Sequence, residues 1–199
     1  MTDKRRSDTR KILNSLAIAV GVLLLAGAVG IVIAKADLSK KQSAEQIVSA
    51  MNAMIPPQKR ALPEAHYGHD MPSAEIGGEN FVGLLEIEQF GRTLPVGSGW
   101  NEKNAGRFPM TYAGNIYNRD LIIGGDSRDG QFDFADTIEI GHTVIFTDLY
   151  GRIFRYEVTM VNHAESTDSI TSGEDDLTLF ARSRNTSKYV IIRCRLSNM

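Results

Sequence analysis

The sequence predicts a mostly β protein, a closed or nearly closed barrel with short helices, preceded by one transmembrane helix. Two patterns carry this prediction. Residues 12–34 form a stretch of 23 residues without a charged side chain, and from residue 80 onward short apolar runs alternate with turn residues. At 199 residues with 42% hydrophobic content, the chain is long enough for one core of useful size and too short for two large ones.

Residues 12–34 predict a membrane anchor whose N-terminal flank lies in the cytoplasm. At about 1.5 Å per residue this stretch spans a hydrocarbon core of about 30 Å, and it is longer than the apolar region of a cleaved signal peptide. Residues 1–11 carry five basic and two acidic side chains, so the positive-inside rule places them in the cytoplasm and the C-terminal domain outside the cell. Cleavage after Ala36 stays open, because residues 34–36 also fit a signal-peptidase site. The predicted location is a single pass through the cell membrane.

Residues 35–79 are predicted to join the anchor to the outer domain. Within them, Ile47, Met51 and Met54 recur at helical spacing, and we expect this amphipathic helix to pack on the domain or to extend the anchor. Four of the six prolines of the chain follow, which predicts a linker.

Two other groups of side chains are of the types that bind metals. His66 and His69 have a spacing that suits two ligands on a helix, but the surrounding prolines disfavour a helix, so we predict no metal site there. The acidic run at residues 174–176 is interpreted as a solvated turn rather than a calcium loop. We predict no cofactor.

Residues 80–199 are predicted to form the barrel domain. The runs interpreted as strands are residues 81–88, 119–123, 142–148, 152–161, 176–182 and 189–196. The third and fourth runs form a hairpin, and the side chains expected to share one face of its second strand are Phe154, Tyr156, Val158 and Met160.

Charge and cysteine content limit the function classes. The net charge is −2, and residues 80–199 hold 16 acidic against 12 basic side chains, so we predict no nucleic-acid partner. Cys194 is the single cysteine, which excludes an internal disulfide and a multi-cysteine metal site. Strand alternation puts Cys194 on the face of Val190 and Ile192, so we expect it to pack in the core.

Five groups of residues follow one another in the order and spacing of a known family. They are Phe81–Ile87, Leu94–Glu102 with its Leu-Pro-Val and Gly-Trp-Asn motifs, Leu121–Asp126, residues 130–144 with Gly-Gln-Phe and Ile-Gly-His-Thr-Val, and the closing pair 176–182 and 189–196. These segments resemble the sortases, cysteine transpeptidases of Gram-positive cell surfaces, and the second is similar to sortases related to classes B and D. The resemblance covers about residues 80–196 and implies a closed sortase-type β-barrel.

The resemblance also implies a chemistry and the positions that would perform it. In sortases a cysteine attacks a backbone carbonyl of a sorting signal, a histidine protonates the leaving amine and an arginine stabilises the oxyanion. Carried over by position, the cysteine place is Arg182, the histidine place is Asp126 and the arginine place is Tyr189, with Lys188 as the alternative for the last.

None of these three substitutes suits its inherited role. The Arg182 guanidinium keeps its proton and has no usable lone pair, so it cannot attack a carbonyl. A carboxyl group with an ordinary pKa of about 3.9 is a poor acid at neutral pH, and Tyr189 donates a neutral hydrogen bond without charge. Because the family's cysteine and histidine face each other, we expect Asp126 and Arg182 to form an ion pair.

The leading prediction is a catalytically inactive sortase homologue, a peptide-binding or scaffolding module in cell-surface protein or pilus anchoring. Its expected partners are the membrane, through residues 12–34, and a sorting-signal peptide, an active sortase or a pilin. The alternative is an active transpeptidase or hydrolase with an atypical nucleophile, Ser183 or Cys194. A structural cell-envelope protein without a peptide groove also stays open.

Overall fold

The computed structural model describes residues 43–57, 59–60, 66–170 and 175–197. The predicted cytoplasmic tail and membrane anchor, residues 1–34, lie outside these residues. No helix within the described part of the chain is long and apolar enough to cross a membrane.

Ten strands lie within the described residues. They are β1 (Lys59–Arg60), β2 (Ala74–Ile76), β3 (Glu79–Ile87), β4 (Arg92–Gly97), β5 (Met110–Ala113), β6 (Leu121–Gly125), β7 (Thr143–Asp148), β8 (Arg152–Ala164), β9 (Leu177–Arg182) and β10 (Tyr189–Leu196). Residues 43–54 form a helix, α1, and Glu102–Ala105 form a single helical turn, α2.

Eight of these strands close into a barrel. The order around the ring is β3, β7, β8, β10, β9, β6, β5 and β4, and β4 pairs again with β3. Most neighbours are antiparallel, but β6 pairs in parallel with β9, and β4 with β5. The prediction of a mostly β protein with a closed barrel and short helices is confirmed.

The barrel interior is filled by alternate side chains of the strands. Leu177, Leu179 and Ala181 of β9 point into the main core, together with Cys194 and other apolar residues of the ring. Cys194 is fully buried, so the prediction that it packs in the core is confirmed.

Two details of the predicted strands are wrong. Met160 is about half exposed and does not share the buried face of Val158, because β8 carries a bulge: Val158 pairs with Cys194 and Met160 with Arg193, leaving Thr159 extra. The run predicted from residue 119 begins only at Leu121, because Arg119 has a φ of 61° and ends a tight turn.

The region predicted as a linker contains structure. β2 and β3 form a hairpin in which Ile76 pairs with Glu79, and the two turn residues, Gly77 and Gly78, have φ values of 63° and 84°. A two-residue hairpin turn of type I′ requires positive φ values at both central residues. These glycines therefore form the tight turn between β2 and β3 and are not part of a linker.

Helix α1 packs on the barrel domain, which confirms one of the two expectations for it. Met51 is fully buried against Phe81, Leu84 and Phe108, while Met54 on the same helix is exposed. The apolar stripe of the helix thus covers the outer side of β3 and the segment before β5.

Acidic residues fix the strands β6, β9 and β10 at one end. Asp176, before β9, accepts hydrogen bonds from Arg119 Nε at 2.8 Å and from the Leu196 amide at 2.7 Å, and Asp175 pairs with Arg193 at 2.8 Å. The expectation of a solvated turn is therefore wrong for these two residues, because their side chains are largely buried and pair with arginines of the neighbouring segments. Burial alone would raise the pKa of Asp176, but the hydrogen bonds from Arg119 and the Leu196 amide outweigh it and hold the pKa below its ordinary value.

We predict that Asp176→Asn lowers the free energy of unfolding by about 1.5–3 kcal/mol at pH 7, because the amide lacks the charge with which Arg119 pairs. Because the native pKa of Asp176 is lowered, its carboxylate stabilises the fold fully above the unfolded pKa of about 3.9 and less below it. The gap in free energy of unfolding between the native chain and the variant should therefore narrow as the pH falls. Urea denaturation from pH 3 to pH 7 measures this gap. Asp129→Asn, at an exposed carboxylate, is the control and should change stability by less than about 1 kcal/mol.

Candidate functional site

The three positions predicted from the sequence meet at one end of three adjacent strands. Gly125 of β6 pairs in parallel with Ala181 of β9, so the next residues, Asp126 and Arg182, follow side by side at the same end of the two strands. Arg182 in turn pairs with Tyr189, the first residue of β10. The strand register alone therefore brings these positions together.

The side chains at this end alternate between the core and the outer face of the sheet. Ile123, Leu179 and Ala181 point into the main core, so Phe180 and Arg182 point outward. Phe180 belongs to a second cluster on the outer face, with Ile122 and Ile191 of the neighbouring strands.

An open cleft of about 470 Å³ lies over this outer face. Asp126, Arg182 and Tyr189 all line it, and so does Ser183. Its lining also includes Glu102 of α2 and Thr167. No sequence pattern indicated these last two residues, which reach the cleft from distant segments of the chain.

Four aromatic rings form a wall of the cleft, here called the aromatic wall: Trp100, Tyr112, Phe180 and Tyr189. The Phe180 ring centre lies 5.7 Å from that of Trp100, 5.2 Å from that of Tyr112 and 6.3 Å from that of Tyr189. Trp100 and Tyr112 are each more than one third exposed. Both residues also line the cleft.

Gly124 allows the wall to pack so closely. A Cβ atom at this position would overlap Phe180 Cζ and lie 2.5 Å from Trp100 Cζ3, well inside contact distance. The space of the missing side chain on β6 is therefore filled by the two rings.

The expected ion pair between Asp126 and Arg182 is not formed. Asp126 instead pairs with Arg128, whose Nη2 lies 2.5 Å from Asp126 Oδ2, and the Arg128 amide donates to Asp126 Oδ1 at 3.1 Å. The backbone amide of Asp126 donates to the Gln131 side-chain oxygen. Arg128 lies two residues away in the same loop, so pairing with it costs little conformational entropy. This explains why Asp126 pairs with Arg128 rather than with Arg182 on the neighbouring strand. Sequence reasoning missed Arg128, although the Asp-Ser-Arg spacing was visible.

Arg182 is exposed in the cleft. Its side chain makes no hydrogen bond or ion pair with any residue that the structure describes, whereas Lys188 pairs with Glu165 at 2.8 Å outside the cleft lining. Within the described residues, the lining holds one other charged group without such a partner, Glu102, and the two do not pair with each other.

The two alternative nucleophiles, Ser183 and Cys194, both have structural roles in the fold. The Ser183 hydroxyl accepts hydrogen bonds from the amides of Asn185 at 3.1 Å and Thr186 at 3.0 Å, so it caps the turn between β9 and β10. None of the residues described in the cleft lining is a histidine. Cys194 lies in the core, where burial and then the charge of Asp175 raise its pKa. A buried thiol with a raised pKa is inert, contrary to what a nucleophile requires.

No protein-family model matches this chain and no curated protein matches its sequence, but solved structures match its fold. Sortase A from Listeria monocytogenes matches with a TM-score of 0.52 at 20% identity, over 59% of this chain and 88% of that chain. A lid mutant of sortase A from Corynebacterium diphtheriae matches with a TM-score of 0.51 at 17% identity, over 63% and 73% of the two chains. A lid mutant of Streptococcus agalactiae sortase C1 matches with a TM-score of 0.51 at 14% identity, over 63% and 71%. The chain has the sortase fold.

The sortase fold confirms the type of barrel that the resemblance implied. At these identities the likeness shows the fold alone, and function has to be inferred from the residues of this cleft. The assignment of Asp126, Arg182 and Tyr189 to the family's histidine, cysteine and arginine places stays a prediction, although the structure gathers all three in one cleft.

We predict that the native chain reacts slowly with iodoacetamide at pH 8, because its one thiol is buried and has a raised pKa. Arg182→Cys should instead take up one label per folded chain, at position 182, within minutes. Mass spectrometry of the intact and digested protein measures both, and Cys194→Ala in the Arg182→Cys background is the control. Native labelling as fast as that of the variant would contradict the buried position of Cys194.

We predict that Gly124→Ala displaces the Trp100 ring, because the new methyl group overlaps both it and Phe180. Trp100 is the only tryptophan, so its fluorescence reports this movement directly, and a shift of the emission maximum is expected. The matched control is Gly125→Ala, whose methyl group meets Gln131 and Phe132 instead and should leave the emission unchanged. Equal spectra for the native chain and Gly124→Ala would refute the packing described for the wall.

Proposed function

We propose that this protein is a membrane-anchored, non-catalytic member of the sortase-fold proteins whose cleft binds an extended peptide. The observation that carries the proposal is the composition of the cleft: an aromatic wall beside a guanidinium, at the strand ends where bond exchange would require a thiol and an imidazole. The ligand is a segment of a cell-surface protein, such as a sorting signal, a pilin or part of an active sortase.

The absence of catalysis follows from the chemistry of the groups in the cleft. Arg182 has no lone pair to attack a carbonyl, and the Ser183 hydroxyl accepts two backbone hydrogen bonds without a histidine to remove its proton. The Asp126 carboxylate is paired with Arg128, and a carboxylate in an ion pair is a poor proton donor for a leaving amine.

Peptide binding is supported by the exposed aromatic surface. Tyr and Trp rings offer an apolar face together with a polar group, which suits peptide backbones and apolar side chains alike. Trp100 and Tyr112 expose more than one third of their surface beside a cleft of about 470 Å³, a volume within the ordinary range for ligand sites. Solvated aromatic rings grouped in a concavity are the kind of surface that binding partners cover.

The anchor is part of the same proposal and is supported by the sequence. Residues 12–34 lack a charged side chain over 23 positions and follow a basic segment, so the cleft domain is held outside the membrane. Its ligand is then met at the cell surface.

The proposal is tested with the full-length chain in detergent micelles and a pooled library of hexapeptides blocked at both ends. We expect some pools to change the Trp100 emission with saturable binding, because the ring lines the cleft. Mass spectrometry of the same mixtures, with and without a soluble amine, should show every peptide unchanged after prolonged incubation.

A matched pair of tyrosine variants locates the binding site. Tyr112→Ala removes a ring of the aromatic wall and should weaken binding in calorimetry by about 0.5–1.5 kcal/mol. Tyr67→Ala removes a more exposed ring outside the cleft lining and should have no effect. Peptide cleavage or amine exchange that disappears in Ser183→Ala would replace the proposal by the active-enzyme alternative, and failure of every pool to bind would refute peptide binding.

A further inference from the structure

The charge state of the cleft is decided by which of its ionic groups already have partners. Asp126 and Arg128 neutralise each other at 2.5 Å. The side chains of Arg182 and Glu102 line the cleft without an ion pair or hydrogen bond among the described residues, and they are not paired with each other. The cleft therefore offers one available guanidinium, and a separate carboxylate on α2.

The available guanidinium stands beside the aromatic wall. Arg182 follows Phe180 on the same face of β9 and pairs through the backbone with Tyr189 of β10. Both of these neighbours are members of the wall. A ligand bound at Arg182 therefore has these rings close by in the same cleft lining, where they can contact its apolar atoms.

A guanidinium in this setting selects for a planar anion. Its parallel N–H groups match the two oxygens of a carboxylate, and the resulting bidentate pair is among the stronger hydrogen-bonded contacts in proteins. An amide in the place of the carboxylate offers one acceptor oxygen and no charge.

We propose that Arg182 makes the cleft a carboxylate-recognition site, selective for peptides that carry an acidic group next to an apolar residue. The acidic group is either an Asp or Glu side chain or the free carboxyl end of a peptide, since the guanidinium contacts the same two oxygens in both. This inference rests on the proposed peptide-binding function and specifies its ligand: Arg182 supplies selectivity, and the aromatic wall holds the apolar neighbour.

The test uses four hexapeptide pools with apolar residues at the randomised positions and blocked N-termini. The first pool carries a fixed aspartate and the second a fixed asparagine, and both end in an amide. The third pool has an asparagine and a free carboxyl end, and the fourth has an alanine and ends in an amide. With the full-length chain, at least one of the two carboxylate pools should bind about tenfold more tightly than its uncharged counterpart. The comparison of the aspartate pool with the free-carboxyl pool identifies the source of the carboxylate.

Arg182→Gln should abolish this preference, so that all four pools bind the variant with about the affinity of the uncharged pools. The matched control is Lys103→Gln, which removes the same charge from an exposed residue next to the cleft but outside its lining, and it should retain the preference. Glu102→Gln should also retain it. Thermal unfolding by circular dichroism confirms that each variant is folded.

The outcomes separate this inference from the function on which it rests. Equal binding of the acidic and uncharged pools to the native chain, or a preference that survives in Arg182→Gln, would overturn carboxylate recognition and leave peptide binding in place. Competition by inorganic phosphate as potent as that of the acidic peptides would also overturn it, because the site would then be a general anion site. If no pool binds, both the inference and the proposed function fail.

Discussion

The parallel pairing of β6 with β9 is the constraint on which the cleft depends. It places Asp126 beside Arg182, and the antiparallel partner β10 adds Tyr189 at the same end. A register shift of one residue would turn Phe180 into the core and Ala181 outward, which removes the aromatic wall and the guanidinium together. At the far end Asp176 accepts hydrogen bonds from the segment before β6 and from the end of β10, so one buried carboxylate fixes all three strands.

Much of the fold and part of the site could be predicted from the sequence, and the errors have local causes. The barrel and the buried thiol of Cys194 follow from the alternation of apolar and polar residues, which reflects burial. The buried position predicted for Met160 is wrong because a bulge in β8 changes the alternation of its side chains, and the apolar pattern of the sequence does not indicate this bulge. The pairing of Asp126 differs from its prediction because the family comparison points across the cleft, whereas Arg128 reaches the carboxylate from its own loop. Glu102 and Thr167 come from distant segments, and their approach depends on the closed barrel.

One scaffold can support two different uses of the same strand end. In sortases, as the resemblance implies, this place holds a thiol that exchanges peptide bonds, and under the predicted assignment it is here occupied by Arg182, whose guanidinium cannot. The geometry that would present a sulfur atom to a backbone carbonyl also presents a cation to whatever lies in the cleft. Under our proposal, the substitutions at the three catalytic places remove covalent chemistry and retain a site for non-covalent recognition.

The availability of that cation depends on a residue that does not touch it. With a neutral residue at position 128, the Asp126 carboxylate would lose its local partner, and the cation on the adjacent strand is Arg182. We would then expect Asp126 to pair with Arg182, and an anionic ligand would have to displace the Asp126 carboxylate from the guanidinium. Because Arg128 satisfies Asp126, the guanidinium of Arg182 stays accessible, and the cleft keeps a positive group against a domain whose net charge is negative. The residues at positions 126 and 182 therefore have to be interpreted together with Arg128, which pairs with Asp126 and leaves the side chain of Arg182 without a partner among the described residues.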